Sequence, residues 1–316
     1  MSASASPSAP FEANHARGLV FGLIGGISIS LGGPIVRLIE VADGWQFLTW
    51  RCLTFAVLMF AMAAVRLGGP GAVVAEVRRL GWLAPAIAVA LGLGMTAYVF
   101  ALLHTTVANA TFVIGSSPLF TVLAARVLLG ERMGMRALAA LLTAMAGIFI
   151  MFGEGLWTGR LTGNLIALIA MVCYSGYVIL LRRARGADTF VASGLGGLFA
   201  AAAAFVMARG AVAVPAHDLV LACLSGIVQI GLGFIFITLA LRHIQAAELT
   251  LLILIEAVLG PLLVWLLVDE VPSALTLAGG AVVLASVAAY AVISMRQPRR
   301  AVSTKSAPSA TPFRRG

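Results

Sequence analysis

The sequence predicts an all-α integral membrane fold of ten transmembrane helices arranged as two inverted five-helix repeats. Three observations predict it. Of 316 residues, 61% are hydrophobic and 10% charged, with a mean hydropathy of +1.05. A soluble domain carries about 25% charged residues, so lipid must be the outer solvent here. The apolar residues also fall into segments of the roughly 20 residues needed to cross about 30 Å of hydrocarbon. Finally, residues 101–131 align without gaps on residues 240–270.

The first 17 residues are rich in Ser, Ala and Pro and read as a disordered tail. Residues 18–36 form the first helix, too long for the core of a cleaved signal. Further helices are expected at 46–66, 81–102, 107–129 and 136–153. No Lys, Arg, Asp or Glu occurs between Leu80 and Ala125, a stretch too long for one crossing, and His104-Thr105-Thr106 supplies its polar turn. Before it, Gly71 to Leu80, with Glu76, Arg78 and Arg79, is placed along the inner membrane surface. The second half continues with helices at 161–181, 189–208, 218–241, 247–267 and 274–294. Residues 295–316 form a basic, Pro/Ser-rich tail that reads as disordered, either attracted to anionic lipid or solvated with no role. The domain division is therefore 1–17, 18–153, 161–294 and 295–316.

Lys and Arg stay on the cytoplasmic side of short loops. With the N-terminus inside, 17 of the 21 fall on that side, Arg37, Arg160 and Arg209 fall outside, and Arg51 lies within helix 2. Both termini are therefore expected in the cytoplasm. The net charge of +9 is spread over these loops and the C-terminal tail, which argues against nucleic acid as a partner. Cys52, Cys173 and Cys223 each sit inside an apolar run and read as reduced packing residues.

In the repeat, the pairs His104/His243 and Glu131/Glu270 are hard to ascribe to shared hydrophobicity, unlike the Leu and Ala pairs. Five helices per unit is an odd number, so the second unit must lie upside-down relative to the first. Inverted repeats with a midplane site between them recur in secondary transporters.

The passage Pro118 to Glu131 (PLFTVLAARVLLGE), its partner Glu256-Ala-Val-Leu-Gly-Pro261 through Asp269-Glu270 to Gly279-Gly280, and Arg51 in Trp-Arg-Cys-Leu resemble the drug/metabolite transporter superfamily, in its ten-helix EamA-type branch. The resemblance covers residues 18–294 and implies carrier-type transport of a small organic metabolite, with a bacterial inner (plasma) membrane as the expected location. It also implies that helices 3, 4, 6 and 8 surround the centre. Two departures stand out. Glu256-Ala257 replaces the usual Glu-Pro, which moves the expected kink to Pro261, and Asp269-Glu270 replaces Gly-Glu at the turn between helices 9 and 10.

Glu256 is the sharpest candidate for function, because a carboxylate in mid-span is costly unless paired, protonated or facing a wet cavity. The repeat sets Ser117 opposite it. It either binds a solute or a coupling proton, or serves as a protonated interhelical lock. Arg51 either snorkels to the interface or is buried as an ion-pair member or carboxylate anchor. Arg37 reads as an interfacial anchor. Glu131 and Glu270 sit at short turns and read as caps or gate hinges, accepting N–H groups of the next helix. Tyr98, Asn109, Ser116, Tyr174, Tyr177 and Gln229 are cavity candidates, since a small-molecule site needs a few polar groups among apolar walls.

No cofactor is expected. His104 and His243 lack companions at metal-ligand spacing, and no phosphate loop or nucleotide domain is present for ATP-driven transport. The preferred function is export of an amino acid or related compound by alternating access. Uptake of a small metabolite or lipophilic cation is the alternative, and a channel or membrane-embedded enzyme ranks lower. Oligomeric state is not legible.

Overall fold

The computed structural model describes residues 9–130, 135–158 and 160–295, and every regular element among them is helical. Nine helices there are long and apolar enough to span a membrane: His15–Arg37, Gly44–Leu67, Leu83–His104, Val107–Leu128, Leu161–Arg183, Thr189–Met207, Ala216–Ala240, Glu248–Val268 and Ala274–Ile293. The fifth expected helix is present as Met135–Thr158, whose apolar stretch Leu138–Ile150 is shorter. Residues 1–8, the C-terminal tail from residue 296 and Glu131 lie outside the described residues.

The chain begins with α1 (Ala9–Ser30), which starts ahead of the expected Gly18, and continues through α2 (Gly32–Arg37), α3 (Gly44–Leu67) and the short α4 (Pro70–Leu80). Asp43 starts α3 by accepting the N–H groups of Trp45 and Gln46, and Gly68 ends it in the left-handed conformation (φ 91°). α4 is the expected surface segment. It is a separate helix started by a proline, and it packs on α3, α5 and α10.

The first half ends with α5 (Leu83–His104), α6 (Val107–Gly115), α7 (Ser117–Leu129) and α8 (Met135–Thr158). The second contains α9 (Leu161–Arg183), α10 (Thr189–Met207), α11 (Ala216–Leu224), a π-helical stretch Ser225–Leu232, α12 (Gly233–Ala240), α13 (Ala246–Ile253), α14 (Ile255–Val268) and α15 (Ala274–Met295).

Four spans are therefore interrupted: at Leu31, at Ser116, through the π-helical stretch, and at Leu254. The sequence suggested unbroken helices at 107–129 and 218–241. Pro118, which has no N–H to give to the preceding turn, accounts for the break at Ser116. α14 runs through Pro261 without an interruption, and the break in this span lies at Leu254. That break lies two turns upstream of Pro261, near the repeat counterpart of Ser116. The turn after α14 is as tight as its counterpart: Asp269 adopts φ 53° where Gly130 adopts φ 68°.

The principal packed pairs are α5 with α9, α3 with α10, α8 with α15, α5 with α10 and α1 with α12. Small residues let them approach. A Cβ on Gly92 would lie 2.9 Å from the Gly196 carbonyl oxygen, and one on Gly147 would lie 2.6 Å from that of Gly279. Without a hydrophobic driving force between helices in lipid, this close packing is what holds the bundle.

Candidate solute site and the lock above it

The breaks converge on one place. Ser117 opens α7 and Glu256 lies in the first turn of α14, where free N–H groups and the helix dipole favour a carboxylate. Both line a cavity of about 170 Å³ between α6/α7 and α13/α14, together with Thr111, Thr250, Ile253 and Leu254. Glu256 is half-buried and is one of the residues that line this space. Thr250, Ser117 and Pro118 also line a larger vestibule of about 700 Å³, which separates α7 from α13 and reaches Arg182, Gln245 and Tyr290. The path from Glu256 is therefore open at the end of the bundle where α7 ends and α13 begins.

The opposite end is shut. Arg37, at the end of α2, donates from Nε to Glu270 Oε2 at 2.6 Å, and its two Nη groups donate to the carbonyls of Leu102 and Thr105. The other carboxylate oxygen of Glu270 accepts the Val107 N–H at 2.7 Å, capping α6. Just beneath, the Asn109 amide donates to Thr105 Oγ1 and Asn164 Oδ1 and accepts from Thr276 Oγ1. One ion pair and one buried amide layer thus join the first span, the turn between α5 and α6, α9 and the start of α15. α6 also packs directly against α14 and α15 there.

Behind the cavity lies Arg51, 1% exposed. Its Nε donates to Ser225 Oγ at 3.0 Å and its Nη2 to Gln229 Oε1 at 3.3 Å, both partners belonging to the π-helical stretch. The extra residue per turn of that stretch swings these two acceptors toward α3. The guanidinium carbon lies 5.5 Å from the Tyr98 ring centre, and Tyr98 and Tyr174 both lie within electrostatic reach of Arg51 and Glu256. Among the described residues no group of three His, Cys, Asp or Glu is placed to hold a metal.

The model of the EamA-like transporter family matches residues 16–153 and again residues 161–292. The chain belongs to that family. A solved structure described as "Crystal structure of protein" is similar in fold, with a TM-score of 0.61 at 20% identity, covering 90% of this chain and 100% of that one. None of the curated proteins matches the chain.

Against this EamA-like frame the sequence candidates sort into three places. Glu256 and Ser117 share the cavity, with Arg51, Tyr98, Tyr174 and Gln229 grouped behind it. Asn109 and Glu270 belong to the closed end. Glu270 caps α6 rather than the next helix in sequence, because α6 is the element whose free N–H groups face it. Arg37, at the end of the first span, is held by Glu270 and two backbone carbonyls. Ser116 donates to the Val113 carbonyl and lies 3.1 Å from Met171 Sδ, and Tyr177 pairs with Ser193 at 3.1 Å. Asn164, Thr276 and Ser225 were missed. A lone polar residue near a helix end carries no sequence signal until its partners are known.

Proposed function

We propose that this protein is a secondary carrier that exports a small organic solute, an amino acid or related compound, by alternating access. In this reading ten helices cross the membrane, the two family repeats are inverted, both termini are cytoplasmic, and Glu256 with Ser117 forms the heart of the solute site. The observation that carries it is the asymmetry of the two ends. At the locked end α6 packs on α14, while their repeat counterparts α13 and α7 are held apart by the vestibule. An inverted pair of units related by exchange of these contacts closes one end as it opens the other. The pairing of α1 with α12 and of α5 with α9, which are counterparts under the same exchange, supports it. So does the arginine distribution, which puts the vestibule on the cytoplasmic side, where an exporter loads.

The test is counterflow in proteoliposomes loaded with candidate amino acids. A carrier gives saturable flux that is accelerated by solute on the far side. Flux that rises linearly with concentration and ignores far-side solute would replace the carrier with a pore. Glu256→Gln removes a charge-assisted contact worth about 1.5–3 kcal/mol, so transport should fall roughly 10- to 100-fold. Full transport with unchanged dependence on the proton gradient would remove Glu256 from both solute and proton handling.

A further inference from the structure

We propose that the groove between α8 and α15 holds one acyl chain of an anionic phospholipid from the cytoplasmic leaflet, and that it closes when the vestibule closes. The inference rests on the inverted-repeat carrier reading above and adds a lipid site away from the solute path.

The groove has a volume of about 480 Å³, and every residue that lines it belongs to one of these two helices. Its walls are alanine and aliphatic side chains, with Arg136, Thr143, Ser286 and Tyr290 as the polar members. Ala139 and Thr143 on α8, and Ala285 and Ala289 on α15, are exposed, so the groove opens on the outside of the bundle within the apolar stretches Leu138–Ile150 and Ala274–Ile293. Thr143 already donates to the Ala139 carbonyl. A buried water needs about two to four polar partners, which this slot does not offer, so hydrocarbon is the better filling. Tyr290 lines both the groove and the vestibule, which sets the mouth at the open end of the bundle, the cytoplasmic leaflet in the orientation proposed above. Arg136, in the first turn of α8, is the charged residue of the lining and forms no ion pair with a described carboxylate. Its guanidinium fork matches phosphodiester oxygens, and one unneutralised cation favours a headgroup with net negative charge.

The repeat accounts for the groove being open. α8 and α15 start at Met135 and Ala274, the same 139 residues apart as Glu131 and Glu270. Under that offset Gly147 and Gly279 correspond to Ser286 and Ala140. The first pair is closed, since a Cβ on Gly147 would lie 2.6 Å from the Gly279 carbonyl oxygen and 2.9 Å from Val283. The second pair lines the groove instead. Ser286 is 5% exposed, and its hydroxyl is buried without a hydrogen-bond partner. A donor stranded in this way belongs to a contact made in another arrangement. α6 packs on α15 at the closed end, whereas its counterpart α13 makes no comparable contact with α8. Exchange of the two ends therefore closes α8 on α15 at the groove, brings the Ala140 carbonyl to the Ser286 hydroxyl and expels the acyl chain.

The test uses the full-length protein in phosphatidylcholine vesicles containing a phosphatidylglycerol with a diazirine on one acyl chain. Illumination should place adducts on α8 and α15 along the groove, and Ala289→Trp, which fills it, should remove most of them. The same diazirine on phosphatidylcholine should label these positions roughly 3- to 5-fold less, and Arg136→Gln should erase that difference. Adducts spread evenly around the bundle would overturn the site, and equal labelling by the neutral probe would overturn the anionic headgroup. Crosslinks between the α15 helices of two copies, in place of lipid adducts, would overturn it in favour of a dimer. Closure is read separately, in protein whose native cysteines are replaced, from a disulfide between Ala140→Cys and Ser286→Cys. It should form in oxidised membranes, form severalfold faster with Glu270→Gln, and suppress the lipid adducts. Absence of the disulfide in protein that still performs counterflow would overturn the closure and leave the carrier reading intact. Groove adducts in protein that fails counterflow would overturn the carrier reading and leave the lipid site.

Discussion

Glu76 shows how a single carboxylate can organise one end of the bundle. It takes two hydrogen bonds from Arg79 at 2.7 Å and the Asp188 N–H at 3.0 Å, while Asp188 caps α10 and meets Arg66 at 3.0 Å. The Arg79 hydrogen bonds hold its carboxyl below the usual 4.5. A lowered folded value means that the stabilisation is present above the ordinary value and disappears as pH falls through the lowered one. Glu76→Gln should therefore cost about 1–2 kcal/mol at pH 7, seen as a lower unfolding midpoint, and the gap should close in strong acid. A gap that persists there would assign the loss to packing. At this scale the sequence was partly legible. Glu256 stood out because mid-span carboxylates are expensive, and Ser117 followed from the repeat. Arg37 did not, because its partner lies 233 positions away and only folding brings the two together.

At the scale of elements, the interrupted spans matter most. Irregular backbone at membrane depth survives only where it is covered by protein or lines a cavity, so four breaks in four spans mark the centre of the molecule. Span positions were readable from hydropathy and arginine placement, since both record the bilayer directly. The breaks were not, except where Pro118 forced one. A π-helical stretch reflects a local insertion into the hydrogen-bond ladder and leaves the apolar pattern almost unchanged. Its position is tied to Gly226, where an added Cβ would run into Thr54 Oγ1 and the Arg51 carbonyl. Gly226→Ala should then push the π-helical stretch off α3 and destabilise the protein by about 1–3 kcal/mol, measured by thermal unfolding. An unchanged midpoint would show that this contact is slack.

For the molecule as a whole, the repeat was legible as an offset of 139 residues between Glu131 and Glu270, and the family model matches twice across that division. Which end is closed was not legible, because the sequence of two related halves fits either arrangement. The closed end is a property of contacts, namely Arg37 with Glu270 and Asn109 with Asn164 and Thr276. The most direct test of alternating access replaces the three native cysteines, places one at Thr250, which lines both cavity and vestibule, and labels it with a membrane-impermeant thiol reagent from each side. Labelling is expected mainly from the cytoplasmic side, with labelling from the outside rising severalfold once Glu270→Gln weakens the lock. Equal labelling from both sides with the lock intact, or outside labelling that ignores Glu270→Gln, would contradict alternating access.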